Sequence, residues 1–131
     1  MNTNYSNRDV VKFYTEKAIR TFEDARVLAN IKSWDSCVNR LYYSCFYMAL
    51  ALIILKLATR PKTHAGTRNL FNEHFVKTGI VGKQTASFYS ELMEKRGESD
   101  YDDFQISTAE EVLPLISQAE EFINTIQKLI L

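Results

Sequence analysis

Cysteine, proline and glycine are all scarce in this chain of 131 residues, which holds two Cys, two Pro and four Gly. So few glycines and prolines exclude the many tight turns of a β-sandwich or barrel. Cys37 and Cys45 cannot form a disulfide scaffold. On one helix they stand about 12 Å apart along the axis, too far to bridge, and they read as buried thiols of a reducing compartment. A long hydrophobic run is also missing. The most apolar stretch lies between Arg40 and Lys56, fifteen uncharged residues that include three Tyr, a Ser and a Cys. A membrane span wants about 20 apolar residues, so a buried core helix and no membrane are expected. Met1 to Asp9 is polar and leads straight into an amphipathic pattern, which is not a signal peptide. The expected location is cytoplasmic.

Net charge is absent as a sum but not as a pattern. The chain carries 16 Lys and Arg against 16 Asp and Glu. From Met1 to Arg96 the count is 15 basic against 8 acidic, and from Gly97 to Leu131 it is 1 against 8. Either the acidic C-terminal quarter packs on the basic body and neutralises it, or basic surface stays open for a phosphate-bearing partner. Hydrophobic residues make up 46%, which excludes a disordered tail and supports one domain over residues 1–131.

Periodicity predicts five helical segments. Val11, Tyr14, Ala18, Phe22, Ala25 and Ala29 recur in steps of three and four, one buried stripe of a helix from about Asp9 to Ile31. Ser6 or Asn7 can cap it, with Asp9 in the first turn. A second helix runs from near Trp34 to about Ala58, apolar almost all round in its second half, and Arg60-Pro61 ends it. A third opens near Thr63 and stops at Gly79; a fourth follows Val81-Gly82 and stops at Gly97, with Glu98 to Phe104 as an acidic loop. The last opens on Ser107-Thr108-Ala109-Glu110, which reads as a capping box. Pro114 inside it must kink the axis or shift its start. No segment alternates with period two. The fold class is all-α: an up-and-down bundle of three long helices with a shorter pair inserted, about five in all.

Most catalytic signatures are missing. There is no phosphate-cradling glycine loop, no Cys-x-x-Cys and no His-Glu-x-x-His. His64 and His74 stand roughly 80° from eclipsed on one helix, without a carboxylate pattern, so neither a metal site nor a cofactor is expected. The candidates are polar residues on apolar faces. Arg40 lies at the mouth of the most buried helix, as an interhelical ion pair or a binding group. Arg96 extends the inward stripe of Leu92 and Met93 and precedes Glu98, Asp100, Asp102 and Asp103. It either pins that loop through Asp100 or is held by that carboxylate so that its fork meets a phosphate. His64 opens a helix among Lys56, Arg60, Lys62 and Arg68, a solvated junction or an anion site at a helix N-terminus. Tyr42, Tyr43 and Tyr47 read as core, without an alternating basic–aromatic pattern beside them.

These pieces resemble a known family. Asn39-Arg40-Leu41-Tyr42-Tyr43-Ser44-Cys45-Phe46 is similar to the "R-x-Y-Y-x-x-F" stretch of the HEPN superfamily (higher eukaryotes and prokaryotes nucleotide-binding). Pro61-Lys62-Thr63-His64-Ala65-Gly66, then Phe71, then Phe75-Val76-Lys77-Thr78-Gly79, resembles the "K-T-H-x-G … F … F-V-K-x-G" block of its small prokaryotic branch. Arg96-Gly97-Glu98-Ser99-Asp100-Tyr101 resembles the branch's "R-x-x-x-D-Y" ending. The resemblance runs in order from about Ser36 to Asp103.

It implies an up-and-down helical bundle, usually a homodimer, often encoded beside a small nucleotidyltransferase as its toxin or binding partner. Several members are metal-independent ribonucleases with Arg, four to six residues and His, the sites of two protomers facing each other. Arg96 matches that Arg, but Tyr101 stands where the His would be. A phenol, with a pKa near 10, is a poor general base at neutral pH. Three readings follow. The first is a binding module for a partner protein, a nucleotide or an RNA phosphate, using Arg96, Asp100 and Tyr101 with Arg40 and His64. The second is a ribonuclease in which Arg96 stabilises the phosphorus and Tyr101 or His64 handles protons. The third is a structural bundle. A homodimer is further expected because the second and fourth helices carry more aromatic surface than one small bundle readily buries.

Overall fold

The computed structural model describes residues 5–101 and 107–131, the side chains of residues 98–101 excepted, and these residues form helices without a strand. Helix α1 (Asn7–Asn30) starts on Ser6, whose hydroxyl accepts from the Asp9 N–H while the Asp9 carboxylate accepts from the Ser6 N–H. That reciprocal pair satisfies two of the donors a helix start leaves open. The expected stripe faces inward, with Val11, Ala18, Phe22 and Ala25 buried.

Helix α2 (Trp34–Leu57) is the axis of the bundle and touches each of the other helices. It is long and apolar enough to cross a membrane by length and composition, yet 67% of its most apolar window is buried among its neighbours. An all-round apolar helix is what a central position requires. Ala58 closes it in the left-handed conformation at φ 52°. Helix α3 (His64–Phe71) begins on Thr63, whose hydroxyl accepts from the Gly66 N–H at 2.9 Å. A turn of π-helix, Asn72–Val76, follows it and leaves both Phe71 and Phe75 buried. Gly79 then reverses the chain at φ +83°, as expected of a C-terminal glycine.

Helix α4 (Lys83–Tyr101) overruns its expected stop. Gly97 does not take the left-handed conformation that ends a helix; among the described glycines Gly79 alone has positive φ. The acidic loop from Glu98 therefore begins as helix, and α4 becomes a fourth long member of the bundle. Residues 102–106 of that expected loop lie outside the described residues.

Helix α5 (Ala109–Ile130) starts on Thr108 paired reciprocally with Glu111, one residue later than the sequence suggests. Pro114 does not shift this start, because the helix runs through it. Its ring still removes the bond to the Glu110 carbonyl, at an exposed position where water can replace it. Pro114→Ala is accordingly expected to raise stability by about 2 kcal/mol, the helix-interior penalty less the unfolded-state entropy lost. Urea unfolding checks this, and an unchanged midpoint would mean that α5 has already relaxed around the ring.

The core is aromatic at its centre. Tyr42, Phe71, Tyr89 and Phe122 are each no more than 1% exposed, with ring centroids 5.5–6.2 Å apart. Tyr42 from α2 and Phe88 and Tyr89 from α4 are thus buried within one chain. Trp34, Tyr43, Phe46 and Tyr47 of α2 keep partial exposure. The acidic α5 packs on α2 and α1, and the ion pairs Arg26–Glu120 (3.8 Å) and Lys95–Glu111 (3.5 Å) join it to the basic body.

Candidate functional site

Three of the five predicted site residues, Arg40, His64 and Arg96, meet around two tyrosines of α2. Tyr42 and Tyr43 follow each other in the chain, so they leave the helix about 100° apart. Tyr42 is fully buried while Tyr43 keeps partial exposure. Their rings lie edge to face at 5.2 Å. The Arg96 guanidinium, from α4, sits 5.0 Å from the Tyr42 ring centroid and 5.8 Å from that of Tyr43. Arg40 lies 5.0 Å from the Tyr43 ring on its own helix. The aromatic faces attract both cations electrostatically and so hold two like charges near one another.

His64 completes the cluster from the start of α3. Thr63 caps that helix, which fixes His64 at its first position. The imidazole stacks on Phe46 at 4.5 Å and on Tyr42 at 5.6 Å. Its Nδ1 lies 2.6 Å from the Tyr42 hydroxyl, a short hydrogen bond. Burial, and then the nearby Arg96 charge, hold the His64 pKa below its ordinary 6.5. Burial pushes the Tyr42 phenol up to about 12, against the opposing charge of Arg96. At neutral pH the pair is therefore a neutral imidazole and a neutral phenol.

The hydrogen bond can run in either sense, with different chemistry. When Tyr42 donates to Nδ1, the other ring nitrogen carries the proton and is a donor for an anion. When Nδ1–H donates to the phenol oxygen, the other ring nitrogen, Nε2, offers a lone pair and is a base.

A pH dependence of stability follows. A folded-state pKa below the unfolded one means the unfolded chain binds a proton first, so the contribution of His64 is complete above pH 6.5 and falls as pH drops below it. Thermal melts between pH 8 and 5 should show this decline in the wild type and a flatter curve in His64→Gln. Parallel curves in that window would place the decline in other groups.

Among the described residues Arg40 makes no interhelical ion pair. Both its Nε and Nη2 donate to the Asn39 side-chain oxygen, at 3.0 and 2.7 Å, rather than to an interhelical carboxylate. A neutral partner orients the guanidinium without cancelling its charge. His74 is exposed, and among the described residues no three His, Cys, Asp or Glu side chains gather as a metal site would need. Asp100 and Tyr101 continue α4 beyond Arg96, about 40° and 140° from it around the axis; their side chains lie outside the described residues. Sequence reading placed Tyr42, Tyr43 and Tyr47 in the core, and did not single out Tyr42, Tyr43 and Phe46 as the rings beneath this cluster. Their spacing carried the signal: positions 39, 42, 43 and 46 share one face of α2.

Comparison with known proteins adds three findings. A family model described as HEPN domain matches residues 11–129. A UPF0332 protein of Thermotoga maritima is 36% identical over 121 residues, 92% of this chain and 91% of that protein. Two Methanocaldococcus jannaschii proteins, each carrying the name "Putative toxin", are 32% and 30% identical, covering 86% and 92% of this chain and 76% and 89% of their own lengths.

Proposed function

The chain belongs to the HEPN-domain family, and from that premise we propose that it binds an RNA phosphate at the cluster of Arg40, His64 and Arg96. One observation carries this: two guanidinium groups and a neutral imidazole converge on the same pair of tyrosine rings. Guanidinium forks match phosphate oxygens in geometry and charge, and an imidazole N–H adds a third donor.

The names of the two archaeal relatives support a toxin-like setting; the toxin–antitoxin pairing and the cytoplasmic location are what the family resemblance implies. There a small nucleotidyltransferase would be the protein partner and the working form a homodimer, as the family resemblance implies. Light scattering reads the last point, a dimer scattering at twice the 15.2 kDa of one chain.

Titration of a labelled unstructured RNA is the direct test. Binding should weaken with salt at a slope of about −0.7 per phosphate neutralised; no binding at low salt removes the reading. A free nucleotide that competes at equal concentration would make the nucleotide, not the strand, the ligand.

Metal-independent RNA cleavage is the second reading, and the 2.6 Å hydrogen bond that holds the His64 imidazole on Tyr42, the ring Arg96 also sits by, favours it. A neutral imidazole can take the proton of a 2′-hydroxyl as that oxygen attacks the adjacent phosphorus, and the 5′-oxygen leaves as an alcohol with a proton from water. Arg96 would stabilise the charge that builds on the phosphoryl oxygens. End-labelled tRNA in EDTA decides it: cleavage by the wild type, lost in both His64→Ala and Arg96→Ala, is expected. Cleavage that survives both substitutions is contamination.

A further inference from the structure

A line of rings leads away from this cluster across the faces of α2 and α1. Tyr43 lies 5.6 Å from His64 and 5.9 Å from Tyr47, Tyr47 lies 6.0 Å from Tyr14, and Tyr14 lies 5.2 Å from Phe13. Cations attend the rings in sequence. Arg40 sits by Tyr43, Lys17 lies 4.7 Å from the Tyr47 ring and 5.5 Å from that of Phe13, and Arg60 lies 5.5 Å from Tyr14. Arg60 also donates to the Tyr14 hydroxyl at 2.7 Å, which ties the loop after α2 to α1. The far end opens into a groove of about 640 Å³ that Lys12, Arg20 and Arg60 line with Phe13 and Tyr14. Two acids share that groove. Asp9 is engaged by the Ser6 cap, and Glu16 is exposed. Phe13 is 52% exposed although it is a large apolar ring, and no core position explains it.

We propose that this strip carries an extended single strand of RNA from the Arg96–His64 cluster to the start of α1. The inference rests on the RNA-phosphate reading above. Rings with cations over them suit a single strand, because a base can take the cation's place on the aromatic face while the cation turns to the adjoining phosphate. A purely apolar partner would leave those charges desolvated and unpaired. The ring-to-ring steps exceed the about 3.4 Å rise of a stacked strand, so the strip fits a strand whose bases have come apart. Stacking of this kind tolerates any base, and little sequence preference is expected.

Two labelled probes separate the strip from the cluster: a dinucleotide, which reaches the cluster alone, and an unstructured ten-nucleotide RNA. Phe13→Ala should weaken the ten-nucleotide RNA about tenfold, the loss of one stacked base, and leave the dinucleotide unchanged. Lys17→Ala and Arg60→Ala should each reduce its salt slope by about 0.7. Circular dichroism confirms that the three variants keep the fold. Unchanged ten-nucleotide affinity in all three variants overturns the strip, even where Arg96→Ala abolishes dinucleotide binding. Dinucleotide affinity that Arg96→Ala leaves intact overturns the cluster reading on its own terms. Should the variants dissociate a dimer in light scattering and leave the RNA affinity alone, the strip is a seat for a second copy, and the proposal is wrong.

Discussion

Arg96→Ala is expected to weaken RNA binding about 10- to 100-fold, the equivalent of the roughly 1.5–3 kcal/mol that a hydrogen bond to a charged group contributes. Arg96 enters the cluster from α4, while Arg40, Tyr42 and Tyr43 enter from α2 and His64 from α3. No other described cation lies over the Tyr42 ring, while Arg40 sits by Tyr43, so the variant keeps one of the two guanidinium groups. Arg96→Lys keeps the charge but loses the planar fork, and an intermediate loss is expected. The alanine variant should stay folded. The contact with the two rings contributes about 0.5–2 kcal/mol, within the margin of an ordinary domain. Fluorescence anisotropy gives the affinities and a thermal melt the control. Equal affinities in wild type and variant would leave Arg96 as a structural cation packed on Tyr42.

Phe122→Ala should be the most destabilising single change, by about 3–5 kcal/mol. Phe122 is 1% exposed and lies 5.8 Å from Phe71 and 5.5 Å from Tyr89, ring to ring. One side chain of α5 thereby packs against both α3 and α4. Removing the ring opens a cavity where neighbours from three elements cannot all collapse, and the transfer loss adds to the cavity cost. Urea denaturation reads the change, with Ser117→Ala on the exposed face of α5 expected within about 0.5 kcal/mol of wild type. A loss below about 1 kcal/mol would mean that the three elements are not held together there.

The helices were legible because their signals are local. Ser6 with Asp9, Thr63 and Gly79 each mark a boundary within one turn of where it occurs. The stripe of α1 reports a period that any buried face must show. One boundary misled for a physical reason. Gly97 has no side chain to oppose either hand of backbone, so a glycine alone permits a helix end without requiring one. The π-turn after Phe71 lies inside the expected third segment and leaves Phe71 and Phe75 both buried; nothing in the spacing of residues 72–76 announces it.

Candidate site residues were legible one at a time and not as a group. Arg40, His64 and Arg96 stood out as polar groups on apolar faces, because burying a charge is costly and therefore informative. The floor beneath them did not, since a tyrosine at helical spacing looks the same whether it fills a core or seats a guanidinium. Sequence by itself determined the all-α class, the family and the separation of a basic body from an acidic last helix, since each follows from composition, period or motif order along one chain. Tertiary structure alone decided that α4 continues through Gly97, that Arg96 reaches Tyr42 and His64, and that Phe13, Tyr14 and Lys17 of α1 line up with Tyr43 and Tyr47 of α2. Those are distances between residues tens of positions apart, and they are set by which faces the helices bury against one another.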